Sequence, residues 1–74
     1  MNKVKAVSYK RDGSMLGELI FEDFTPFEAA LTIQKDFSIK GLDTEIVGGI
    51  KEDDDYTVIV SYTGIEVKVS SFSG

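Results

Sequence analysis

Residues 3–22 read KVKAVSYKRDGSMLGELIFE, and their pattern sets the first two elements of the fold and how they pair. At its centre Asp12-Gly13 separates two runs that mix apolar and polar side chains in a strand-like way. Asp and Gly both tolerate the positive φ of a tight hairpin turn, so the pair predicts a β-hairpin. Taking Asp12-Gly13 as a two-residue loop sets the register. Lys10 faces Met15, Tyr9 faces Leu16, Ser8 faces Gly17 and Val7 faces Glu18. Further from the turn, Ala6 faces Leu19, Lys5 faces Ile20, Val4 faces Phe21 and Lys3 faces Glu22. Side chains alternate across a strand. One face therefore collects Val4, Ala6, Met15, Leu19 and Phe21. The other collects Val7, Tyr9, Leu16 and Ile20, edged by Lys3, Lys5, Glu18 and Glu22.

Outward from the hairpin, Thr25-Pro26-Phe27-Glu28 has the pattern of a capping box, with Thr25 at the N-cap, Pro at the first helical position and Glu28 three residues on. Phe24 is placed to staple onto Ala29. The helix is predicted over 26–37, with Gly41 in its exit. Phe27, Ala30, Leu31, Ile33 and Phe37 fall on one stripe, and Glu28, Thr32, Lys35 and Asp36 lie opposite. Gln34 falls within the stripe, as a buried amide with backbone partners or at its edge. A third strand is expected over 44–51, where Gly48-Gly49 signals a bulge, an edge or a close backbone approach.

The most regular segment comes last. Tyr56, Val58, Val60 and Tyr62 alternate with Thr57, Ile59, Ser61 and Thr63. After Thr63-Gly64 the pattern resumes with Ile65, Val67 and Val69. A turn at Thr63-Gly64 sets Tyr62 against Ile65, Val60 against Val67 and Val58 against Val69, which brings the two apolar faces together. The outward pairs are Ser61 with Glu66, Ile59 with Lys68 and Thr57 with Ser70. The layout is β-β-α-β-β-β. It predicts one α+β domain over residues 1–74, with a single helix on one face of a four- or five-stranded, mainly antiparallel sheet. This order of elements is similar to that of a β-grasp domain, such as an immunoglobulin-binding domain of protein G, with one strand added. No residue motif accompanies the likeness, so it implies a layout and no function.

Composition removes several chemistries. The chain of 74 residues has no Cys and no His. Without Cys there is no disulfide framework, thiolate nucleophile or zinc ribbon. Without His there is no Ser-His-Asp triad or imidazole base. The apolar share of 42% is that of a folded domain, but a chain this short has more surface than core to stabilise it. An oligomer or complex would bury more. Net charge is −5, divided as +4 over residues 1–11 and −9 over the rest. Non-specific nucleic-acid binding needs a basic footprint, so direct binding of nucleic acid is not expected. The start of the chain is too polar for a signal-peptide core, and no apolar run is long enough to span a membrane. The absence of Cys fits a reducing cytoplasm, the location expected here.

Candidate sites are few. The serines and threonines lack an activating His, no lysine lies in an apolar stretch, and Glu22-Asp23 would point to opposite faces of a strand. Neither an enzyme nor a cofactor is expected. Glu52, Asp53, Asp54 and Asp55 form an acidic loop. Calcium loops place acids at alternate positions around a Gly, which this run does not. It reads as a solvated loop, or as an imitation of phosphates that engages a basic partner. Gly41 and Gly48-Gly49 lack the spacing of a phosphate-binding loop. One face of the sheet remains. A single helix covers one face only, which leaves Val7, Tyr9, Leu16, Ile20 and Ile59 on the open side as a candidate interface with a charged rim. The expected function is a non-enzymatic interaction module that uses this face for self-association or a protein partner. The alternative is an acidic inhibitor, of the kind phages and mobile elements direct at host nucleic-acid enzymes.

Overall fold

The computed structural model describes residues 3–72. The elements are β1 (Lys3–Tyr9), β2 (Met15–Glu22), α1 (Pro26–Ile39), β3 (Thr44–Gly48), β4 (Tyr56–Val60) and β5 (Glu66–Phe72). The strands form one five-stranded sheet in the order β2-β1-β5-β4-β3, with each neighbouring pair antiparallel. The first and last strands thus meet at the centre, and β2 and β3 form the edges. One helix packs on one face, the α+β arrangement expected from the order of elements.

The β1–β2 register matches expectation from Lys3↔Glu22 to Ser8↔Gly17. Nearer the turn it departs twice. The Lys10 amide donates to the Ser14 carbonyl at 2.8 Å, and the Gly13 amide donates to the Lys10 carbonyl at 2.9 Å. The loop is therefore Arg11-Asp12-Gly13, three residues instead of two, with Gly13 at φ 92°. The Asp12 carboxylate accepts from the Ser14 amide and hydroxyl at 2.9 and 2.7 Å, which fixes the turn and holds its pKa below the usual value. Tyr9 then pairs with Met15 and Ser8 with Gly17, so Leu16 is the extra residue of a β-bulge. The longer loop and the bulge cancel, which is why the rest of the register holds. Met15 is the residue that changes sides. Its pairing with Tyr9 puts it on the open face and not with Val4 and Ala6.

The β4–β5 pairing is also shifted. Val58 faces Val67 and Tyr56 faces Val69, two residues from the expected register. The Val60 amide donates to the Ile65 carbonyl at 2.8 Å, which leaves 61–64 as the loop. A shift of two preserves the face of every side chain, so Val58, Val60, Val67 and Val69 are still buried. Tyr62 is the residue lost from the core. It sits in the loop with 87% of its surface exposed.

The helix begins as its sequence demands. Glu28 donates its amide to the Thr25 hydroxyl at 3.2 Å, and the Thr25 amide donates to the Glu28 carboxylate at 2.9 Å. It runs two residues past the expected end. Leu42 and Gly41 then donate their amides to the carbonyls of Phe37 and Ser38, with Gly41 at φ 81°, closing a Schellman motif. Ala29, Ala30 and Ile33 pack on Val4, Ala6, Val58, Val67 and Val69, with Phe21, Phe24, Phe27 and Phe37 around the margin. Gln34 is half-buried at the side of this stripe. β3 stops at Gly48, short of the expected 51. A side chain on Gly48 would lie 2.5 Å from the Asp55 carbonyl oxygen, so the glycine permits a close backbone approach.

Position of the helix is what matters most for the surface. α1 lies mainly over β4, β3 and β5 and only reaches β1. Both its ends are tied to that half of the sheet. The Phe27 amide donates to the Glu52 carbonyl at 3.0 Å, and the Phe27 ring packs 5.3 Å from that of Tyr56. At the far end, the Asp43 carbonyl accepts from the Ser61 amide at 3.1 Å.

Candidate functional site

The offset helix leaves β2 little cover. Leu19 lies on the helix side of the sheet, opposite Ala6. The sequence pattern assigns it to the core, yet 62% of it is exposed. Beneath it, an open groove of about 160 Å³ runs between β2 and α1, floored by Ala6, Ser8 and Val67 and walled by Leu19, Ile33 and Phe37. On the other side of the same strand, Met15, Leu16 and Ile20 are 56%, 48% and 45% exposed. β2 is thus apolar and exposed on both faces, and it is an edge strand. Among the described residues no strand pairs with the outer backbone groups of such an edge.

The remaining candidate interface residues are less available. Val7, Tyr9 and Ile59 lie on the open face but are only partly exposed. Pairing sets Met15, Tyr9, Glu66, Ile59 and Glu45 in one row across the five strands. Ile59 is therefore cut off from the hairpin by the Glu66–Lys68 segment of β5. Charged side chains also shield the aromatic residues. Lys68 Nζ lies 5.4 Å from the centre of the Tyr9 ring, and Lys5 Nζ 5.3 Å from that of Phe72. Lys5 Nζ is also 4.0 Å from Glu18, an ion pair half exposed to solvent and correspondingly weak. Of the five candidates, Leu16 and Ile20 are the exposed ones, and both belong to β2. Met15 and Leu19 complete the surface and were not legible as part of it. A bulge turned one outward, and the helix offset uncovered the other.

The acidic loop has an internal job. The Asp54 carboxylate accepts from the amides of Ile50 and Lys51, each at 3.0 Å, and these bonds hold its pKa below the usual 3.8. A side chain on Gly49 would collide with Asp54. The Tyr56 hydroxyl donates to the Lys51 carbonyl at 2.6 Å, and its pKa is raised by burial and then by the charge of Asp54. Glu52, Asp53 and Asp55 remain exposed. Among the described residues no group of three or more acids is arranged to hold a metal ion. No described helix is long and apolar enough to cross a membrane. No protein-family model, no curated protein and no solved structure matches the chain.

Proposed function

We propose that this protein is a non-enzymatic interaction module that docks a protein partner along β2 and the adjoining open face of the sheet. The observation that carries the reading is the exposure of Met15, Leu16, Leu19 and Ile20 on the two faces of one edge strand. Isolated exposed apolar residues are ordinary, whereas a cluster of them bordered by charge has the composition of an interface. Small size adds to the case, because a 74-residue domain gains stability from any area it buries in a complex.

The test compares two variants with the parent protein as baits for quantitative capture from the host lysate. Ile20→Lys alters β2, and Glu52→Gln with Asp53→Asn alters the acidic loop without touching the Asp54 hydrogen bonds. Circular dichroism verifies that both fold. A partner lost by Ile20→Lys and kept by the loop variant is the expected outcome. The reverse pattern, with capture that weakens in salt, transfers the function to the acidic-inhibitor reading. Capture that ignores both changes refutes the reading.

A further inference from the structure

We infer that β2 takes an added strand from the partner, and that this strand carries lysine or arginine opposite Glu18 and Glu22. The inference rests on the interaction reading above and specifies its occupant. Two edges are open to strand addition. β3 is five residues long and ends at Gly48, whose φ of 153° few other residues adopt. β2 is eight residues long. The bulge at Leu16 disturbs its turn end, so the usable stretch is 17–22.

Charge on that stretch selects the partner. Its only ionic side chains are Glu18 and Glu22, which share the open face with Ile20 between them, while Leu19 and Phe21 point to the helix side. A second copy is a poor occupant. In a symmetric antiparallel pair centred on Ile20, Glu18 of each copy stands directly opposite Glu22 of the other. Centred on Glu18, the two Glu18 residues oppose each other. Centred on Leu19, each Glu18 lies diagonal to Glu18 and Glu22 of the other copy. Like charges opposed across strands are destabilising, and the net charge of −5 per chain adds repulsion. A segment with basic residues two positions either side of an apolar one meets the opposite situation. Its cations face Glu18 and Glu22, its central apolar residue meets Ile20, and its alternate apolar side chains pack beside Leu19 and Phe21. Backbone hydrogen bonds supply affinity in such additions, and the side-chain pattern supplies specificity.

The experiment is an NMR titration of the full chain with two short synthetic peptides, one built on Lys-Val-Val-Val-Lys, the other on Glu-Val-Val-Val-Glu, so that the charged residues flank a central valine at two positions on either side. The expected result is that the lysine peptide shifts the amide signals over 18–22 and slows their hydrogen exchange, while the glutamate peptide does neither. Glu18→Gln with Glu22→Gln should weaken the lysine peptide about fivefold. Equal binding of both peptides, or no response at β2 to either, overturns the inference. So does protection of the β2 amides before peptide is added that is lost on dilution, which assigns the edge to a second copy. Shifts confined to Val7, Tyr9 and Ile59 also overturn strand addition but leave the interaction reading standing, since that reading falls only with the capture experiment.

Discussion

Leu19→Ala and Val58→Ala, measured side by side, test the offset of the helix on which the functional reading depends. Val58 is fully buried between α1 and the sheet. Its truncation removes two methyl groups from the core, a transfer loss of about 1.6 kcal/mol. The cavity left behind raises the total to about 2–3 kcal/mol. Leu19 loses more carbon, but 62% of the residue already faces solvent. Only the covered fraction of its transfer energy is forfeited, about 1 kcal/mol, and an open groove leaves no closed cavity. For a domain of this size about 1 kcal/mol moves Tm by roughly 4–8 °C. The expected losses are therefore about 10–20 °C for Val58→Ala and about 4–8 °C for Leu19→Ala. Urea and thermal unfolding followed by far-UV circular dichroism, at low micromolar concentration without a partner, give both values. If Leu19→Ala costs as much as Val58→Ala, β2 is covered in solution and the exposed-edge reasoning fails.

Two further outcomes concern local structure. Thr25→Ala removes the hydroxyl that accepts from the Glu28 amide and should cost about 1 kcal/mol of stability by urea unfolding, while Thr25→Ser should restore most of it. The Asp54 carboxyl has a folded-state pKa below its usual 3.8, so its hydrogen bonds stabilise the fold above that pH and lose that effect as pH falls through the folded value. The acid side of the stability-pH curve should be flatter in Asp54→Asn, measured as the urea midpoint against pH, and an unchanged curve would show that the carboxylate does not anchor the loop.

Local chemistry wrote the elements directly into the chain. The capping box at Thr25–Glu28, the αL exit at Gly41 and the alternation from Tyr56 to Val60 need only neighbouring residues to take effect. Face assignment was nearly as legible, because strand side chains repeat every two residues. A register two places out in β4–β5 still buried the right valines. The longer 61–64 loop took Tyr62 out of the strand and so out of the core, and in the first hairpin a one-residue change reversed a face. The bulge at Leu16 moved Met15 to the other face, and nothing in Gly17 or its neighbours announced it.

The candidate surface was legible only in part for a different reason. Periodicity says which side of a strand is apolar, and Leu16 and Ile20 follow from it. It does not say how far a helix extends over a sheet. That depends on contacts between distant parts of the chain: Phe27 with Glu52 and Tyr56, and Asp43 with Ser61. These anchor α1 over β3, β4 and β5. Residue order was enough to specify one helix, five strand segments and an apolar hairpin with too many faces to hide. Tertiary packing decided which face stayed exposed, because a single helix is narrower than a five-stranded sheet and its tethers placed it away from β2.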